Sequence, residues 1–372
     1  MKGKRLNLAG NIIKNWSSYL FGVPQPVPVG YVIIGLTFHC NAKCLMCDIH
    51  NLYKEKPALC HNELELPSLL ERLKESKVIK KINHIDLTGG EPFIKEHIAD
   101  FITGLFGLPN INLVTINTNG LLSDKITHDV NRILKAMPEG NNFSVSVSMD
   151  GIGEIHDKIR GVSGAFGRIE KTIAGLKVLR SEHTGFSIRS NAVVQPDNID
   201  HLAELQEYWF EHDITGAFGI IQTPFYTLRR DAGCNSVPFM REDIEKIKAV
   251  GPKSKGADYY LDHNCKRPLH CFAGYASMFV DPFGDVYPCN FLAEMEDYRM
   301  GNIKADAVDA IWTSPTAKNI RGLVKKCPYT GCWNGCEVDQ TMIQFEPIER
   351  VVKTLTMGLL SYYRMKKLGN FQ

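Results

Sequence analysis

The sequence predicts a mixed α/β fold in which a parallel sheet is followed by a small cysteine-rich domain. Three observations carry this. Short β-rich runs alternate with amphipathic stretches from residue 31 to about 222. Gly, Asn, Asp and Cys gather where loops leave those runs. The cysteines fall in two regions, Cys40 to Cys60 and Cys234 to Cys336, with none between.

The predicted strands are "YVIIGLT" (31–37), "NHIDLTG" (83–89), "NLVTINT" (112–118), "FSVSVSMD" (143–150), "FSIRSNAVV" (186–194) and "ITGAFGIIQ" (214–222). Amphipathic stretches near 67–80, 95–106, 124–136, 166–182 and 199–212 separate them. Strands alternating with helices imply a parallel sheet, either a partial barrel or a doubly wound sheet. In both architectures the ligand site lies at the C-terminal strand ends. After residue 230 the texture turns to loop, and a segment over 265–340 lacks a long periodic core, so a bound metal would help it fold. The expected division is an amphipathic extension at 1–30, a core at 31–240, a cysteine-rich domain at 241–345 and a helix at 346–372.

The chain has 372 residues and a formal net charge of +2, so no global basic field calls for nucleic acid. Apolar runs such as "YVIIGL" are too short to span a bilayer, and the N-terminus has no continuous apolar signal region. The expected compartment is the cytoplasm. There, clustered cysteines serve metals or chemistry more often than disulfides.

"FHCNAKCLMCDIH" sets Cys40, Cys44 and Cys47 at spacing C-x3-C-x2-C directly after the first strand. Three thiolates can hold three irons of a cubane and leave the fourth open, as a catalytic metal site requires. The alternative is zinc, completed by His39, Cys60 or His61.

This segment resembles the signature of the radical S-adenosylmethionine (SAM) enzymes. The resemblance implies a partial (β/α)6 barrel of the TIM type in which the three cysteines hold a [4Fe–4S] cluster and SAM chelates its open iron. "GGEP" ends the second strand and is similar to the family's methionine-binding motif, which places Gly89, Gly90 and Glu91 at the methionyl group. "NTNG", "SMDG" and "NAVVQPDN" end the next three strands and resemble the ribose, carboxylate and adenine contacts. By that resemblance the contacts are Thr118, Asn119, Ser148, Asp150, Asn191 and Val193. Electron transfer to the sulfonium would break its C–S bond, and the 5′-deoxyadenosyl radical would take hydrogen from substrate. A flavodoxin or ferredoxin would supply the electron.

Later, Cys271 and Cys289 flank Gly284 at spacing C-x12-G-x4-C, with Gly284 in a hairpin turn, and "CPYTGCWNGC" brings Cys327, Cys332 and Cys336. Residues 265–336 resemble the SPASM or twitch extension, which binds auxiliary [4Fe–4S] clusters. That pattern ends in C-x2-C-x5-C-x3-C with a further cysteine, whereas this chain has C-x4-C-x3-C and none after Cys336. One auxiliary cluster is therefore expected, on four of Cys265, Cys271, Cys289, Cys327, Cys332 and Cys336. It would accept an electron from a substrate radical or anchor the substrate.

"HDKIRG" (156–161) follows the fourth strand and reads as a helix N-terminus with a salt bridge, or as a substrate edge with Asp157 or Arg160. Cys60 and Cys234 stand alone; each is a buried thiol or a hydrogen donor to a substrate radical. Both termini read as amphipathic helices that pack on the barrel, or else meet a membrane surface. Only 39 residues precede Cys40, which argues against a leader-binding domain. The expectation is thus a small-molecule or sugar-type substrate, dehydrogenated or epimerised. The alternatives are a maturase for ribosomally made peptides and, in another class, a zinc-binding interaction protein.

Overall fold

The computed structural model describes residues 2–22, 26, 31–220, 240–250, 271–293, 295–327, 332, 337 and 341. Cys234, Cys265, Cys336 and the stretch 346–372 lie outside the described residues.

Six strands form the parallel layer: β1 (Tyr31–Gly35), β2 (His84–Thr88), β3 (Leu113–Thr118), β4 (Asn142–Ser148), β5 (Phe186–Val194) and β6 (Thr215–Ile220). Each pairs in parallel with its sequence neighbour. The helices are α1 (Lys2–Phe21), α2 (Leu52–Glu55), α3 (Leu66–Glu75), α4 (Ile98–Phe106), α5 (Ser123–Ala136), α6 (Glu154–Arg160), α7 (Ala165–Glu182), α8 (Leu202–Glu211), α9 (Arg241–Val250), α10 (Val308–Thr313) and α11 (Pro315–Val324). This is the order of the expected (β/α)6 unit.

Alternation along each strand splits the sheet into two chemistries. Val32, Ile34, Ile85, Leu87, Val114, Ile116, Val145 and Val147 are buried with Leu73, Ile102, Ile126, Ile173 and Leu205 of the helices. Each such side chain contributes about 1.5–3 kcal/mol by leaving water. The intervening positions are Asp86, Thr115, Asn117, Ser144, Ser146, Ser148, Ser187, Arg189 and Asn191. In-register pairing aligns Asp86 with Thr115 and Ser144, and Asn117 with Ser146 and Arg189. Parallel strands buried on both faces are usually continuous apolar runs. Here one face is polar across four strands.

Three further strands, β7 (Ser277–Val280), β8 (Asp285–Tyr287) and β9 (Gly301–Asn302), extend the same sheet in the order β6-β5-β4-β3-β2-β1-β7-β8-β9. β7 runs parallel to β1, from Tyr31↔Ser277 to Ile34↔Val280, and β8 returns antiparallel. The predicted hairpin is present. Asp281 Oδ1 accepts from Phe283 and Asp285 N–H at 2.9 and 2.8 Å, and Gly284 takes φ +87°. The hairpin of the cysteine-rich segment is therefore part of this sheet. It covers the open edge of β1, whose backbone groups would otherwise lack partners.

Helix α1 joins the same region. Tyr19 stacks on Phe272 with ring centroids 4.8 Å apart, and Lys325 lies 4.5 Å over the Tyr19 ring. Trp16 and Tyr19 of this helix pack on Phe272, while Ile13, Leu20 and Phe21 face outward. No helix of the described residues is long and apolar enough to cross a membrane. Helix α9 buries Ile247 with Val194, Ile199 and Leu202, so its packing is with the six-stranded layer.

Candidate metal centre and cofactor site

Cys40, Cys44 and Cys47 sit in the loop after β1, which stops two residues before the predicted end. Pairing nevertheless continues through the loop. Leu36 N–H donates to Thr88 O at 2.9 Å, Gly90 N–H to Thr37 O at 2.7 Å and Glu91 N–H to His39 O at 2.8 Å. The two glycines are required by this approach. A Cβ on Gly89 would stand 2.3 Å from Thr37 O, and one on Gly90 2.1 Å from His39 O. Gly89 also has φ +133°, which favours glycine.

The three thiols are half-buried and act on one another. Burial, the backbone bond to Ala42 and then the neighbouring Cys44 set the Cys40 thiol, whose pKa is raised to about 11. Burial first, with Cys44 and Cys40 adding, raises Cys47 to about 12. Cys40 and Cys47, which resist ionisation alone, together with the neighbouring Cys44 are a fit donor set for a cationic metal centre, which would hold the three as thiolates. Side-chain donors also reach the sulfurs: Asn119 Nδ2 stands 3.7 Å from Cys40 Sγ, and Arg160 Nη1 3.6 Å from Cys44 Sγ.

A carboxylate that no motif announced clamps this loop. Glu63 Oε1 accepts from Thr37 Oγ1, Phe38 N–H and Tyr53 Oη at 2.7, 2.7 and 2.5 Å, and Oε2 pairs with Lys95 at 3.0 Å. Burial pushes the Glu63 carboxyl up, but these donors outweigh it and leave it below the usual carboxylate range. A depressed folded pKa contributes stability above the ordinary Glu pKa and loses it as pH falls through the folded value. Glu63→Gln is expected to cost about 1–3 kcal/mol at neutral pH, the range for hydrogen bonds to a charged group. Urea midpoints measured from neutral to acidic pH should converge for the two proteins. A constant gap would contradict the clamp.

The other predicted contacts also gather at the strand ends. The Glu91 carboxylate is fully buried and accepts from Thr118 Oγ1 at 2.8 Å, Asn119 N–H at 2.7 Å and Phe93 N–H at 3.1 Å. It is thus spent on joining the ends of β2 and β3. The Asn119 side chain donates to Asn41 Oδ1 at 2.7 Å, within the cysteine loop. The fully buried Asp150 accepts from Val193 N–H at 2.8 Å, and its carbonyl from Asn198 Nδ2 at 2.8 Å. Asn191 donates to Ser146 at 2.8 Å, and Ser148 is half-buried beside it in register.

The "HDKIRG" stretch forms α6. Asp157 receives Gly164 and Phe166 N–H at 2.6 and 2.8 Å and so holds the start of α7. Both its oxygens are thus bound to backbone. Arg160 lies beside Cys44 and Asp150. Its Nη2 stands 2.7 Å from Asp150 Oδ2, a buried ion pair. Its carbonyl accepts from Lys43 N–H at 2.9 Å, and Ile159 O from Leu45 N–H at 2.9 Å. Cys60 is half-buried in the turn Pro57–Asn62, near Tyr53 and beside the Glu63 clamp.

At the far end, Cys289 is surrounded. Burial raises its thiol well above the ordinary value, and Glu337, Cys271, Cys332 and Cys327 add to this. Charge on Cys271, Cys327 and Cys332 would thus act on Cys289, which makes these four cysteines, from three separate segments, the candidate donors of this region. Glu337, buried and bound by Ser277 Oγ at 2.6 Å, was not anticipated.

Known proteins agree with this layout. Residues 34–209 match the radical SAM superfamily model, and residues 271–337 match SPASM, an iron–sulfur cluster-binding domain. The antilisterial bacteriocin subtilosin biosynthesis protein AlbA of Bacillus subtilis (strain 168) is 24% identical over 335 residues, covering 84% of this chain and 67% of AlbA. GTP 3′,8-cyclase of Clostridium perfringens (strain SM101 / Type A) is 27% identical over 50% of this chain and 53% of the cyclase. The chain thus spans about two thirds and about half of those relatives. AdoMet-dependent heme synthase of Methanosarcina barkeri (strain Fusaro / DSM 804) is 25% identical over 81% of this chain and 89% of the synthase. Among solved structures, Streptococcus suis SuiB bound to precursor peptide SuiA shares the fold with TM-score 0.60 at 16% identity, covering 87% of this chain and 75% of SuiB.

Proposed function

We propose that this chain, which belongs to the radical SAM superfamily and carries a C-terminal SPASM domain, modifies a ribosomally made peptide or protein. Those two domains imply a [4Fe–4S] cluster that binds SAM, together with auxiliary iron–sulfur chemistry. Held by Cys40, Cys44 and Cys47, such a cluster would supply the one-electron reductive cleavage of SAM that initiates hydrogen-atom abstraction from substrate.

Cys40, Cys44 and Cys47 would hold that cluster. Gly89 and Gly90 let the β2 end lie close against the cysteine loop, and Glu91, Thr118 and Asn119 fix that end. Asp150 holds the tips of β4 and β5 at the level of Asn191 and Val193, where the nucleoside of SAM would lie. The polar face below, with Asn117, Ser146 and Arg189, would line the substrate space and orient a polar chain. Cys271, Cys289, Cys327 and Cys332 would hold one auxiliary cluster, an outlet for the substrate radical's electron.

The observation that carries the peptide reading is AlbA, a bacteriocin biosynthesis protein whose match covers 84% of this chain. The shortness of the segment before Cys40 had favoured a small molecule instead, and the relatives weigh the other way. The heme synthase match, over 81% of this chain, sustains a small-molecule substrate as the second reading.

Source cells grown in deuterated medium decide between them. Their extract is split into peptide-sized and metabolite-sized pools and offered to the reduced, iron-loaded chain with SAM. Deuterium should appear in 5′-deoxyadenosine from the peptide pool and vanish after protease treatment. Transfer from the metabolite pool alone would refute the peptide reading.

A further inference from the structure

Arg160 is the cation that meets the cysteine loop most directly, and the fold is built to keep it there. Its side chain is only 9% exposed, and that of its partner Asp150 is 0% exposed. One guanidinium nitrogen lies 3.6 Å from Cys44 Sγ and another 2.7 Å from Asp150 Oδ2. The backbone is stapled as well, through Lys43 N–H to Arg160 O and Leu45 N–H to Ile159 O, both at 2.9 Å. Helix α6 ends at Gly161 in a left-handed turn with φ +64°, and a Cβ there would meet Lys43 O at 2.4 Å. Asp150 is held in turn by Val193 N–H at 2.8 Å. A chain of contacts therefore runs from Cys44 through Arg160 and Asp150 to the end of β5.

A full charge next to a sulfur ligand, in a site with little water, acts strongly on any centre that gains an electron. A buried cation favours the reduced state, and the buried carboxylate behind it restrains that effect. Arg rather than Lys suits the task, because a planar fork can address sulfur and carboxylate at once.

We propose that Arg160 is a positioning residue that sets the reduction potential of the centre held by Cys40, Cys44 and Cys47, with Asp150 as its counterweight. This goes beyond the choice of substrate and does not depend on it. It does rest on the cysteine loop holding the SAM cluster.

The test is a redox titration of the iron-loaded full chain, followed by the electron paramagnetic resonance signal of that centre. At a fixed poise, Arg160→Gln should hold about tenfold fewer reduced centres, equivalent to about 59 mV for a one-electron couple. Arg160→Lys, which keeps the charge, should fall between it and the wild type. Asp150→Asn leaves the cation unbalanced and should shift the midpoint in the opposite direction. If Arg160→Gln fails to load iron, the other two variants still decide. Unchanged midpoints, or shifts of the same sign for Arg160→Gln and Asp150→Asn, would overturn the proposal, since a purely structural role predicts no opposed pair. A wild-type chain with no reducible signal from this loop would sink the cluster assignment and the proposal with it.

Discussion

Cys44→Ala is expected to remove about four irons per chain, one cubane's worth, and leave the rest in place. Cys44 is the middle cysteine of its loop, and the turn around it is fixed independently of any metal. Cys47 N–H donates to Cys44 O at 3.1 Å, and its neighbours Lys43 and Leu45 are bonded to α6. Truncating the side chain removes a sulfur without removing the scaffold, so the fold should persist. The second cysteine group is formed by other segments, around Cys289 beyond β8. Its iron should survive, and the spectrum should lose one component only. Loss of all iron would mean that the two regions do not load separately, and full retention would exclude Cys44 as a ligand.

The other large effect is expected at Gly90. Gly90→Ala places a Cβ 2.1 Å from His39 O and 2.6 Å from His39 C, both backbone atoms that no side-chain rotation can move. The cysteine loop must shift away, and the bonds from Gly90 and Glu91 N–H to Thr37 and His39 O stretch or break. Overpacking and two strained hydrogen bonds together cost about 3 kcal/mol or more. Gly167→Ala is the control, because nothing lies within 4 Å of a Cβ there, within α7. It should stabilise by about 0.5–1 kcal/mol from helix propensity. Urea unfolding and iron loading check both. A Gly90→Ala protein as stable and as well loaded as the wild type would contradict the close approach.

Much of this architecture was legible in the chain. β5 spans the residues expected from "FSIRSNAVV", and α5 and α7 fall within a residue of their amphipathic stretches, because period-2 and period-3.6 patterns are local. The cysteine spacing and GGEP were legible for the same reason. What escaped depends on contacts distant in sequence. Glu63 sits in "HNELEL", where nothing marks it, yet it gathers Thr37, Phe38, Tyr53 and Lys95. Arg160 reads as a helix-end arginine until the fold places it 116 residues away, against Cys44. The joining of β7 to the edge of β1 could not be foreseen either, since a short apolar hairpin carries no label for its partner. The polar face was visible as alternating serines in "FSVSVSMD", but its meaning came only when four strands aligned them.

The measurement closest to the heart of this account is 5′-deoxyadenosine formation by the reduced, iron-loaded chain supplied with SAM. The wild type should release 5′-deoxyadenosine and methionine in equal amounts, and Cys44→Ala should release neither. A fully loaded wild type that leaves SAM intact, or a Cys44→Ala protein that cleaves it equally well, would contradict the assignment of the first cysteine loop.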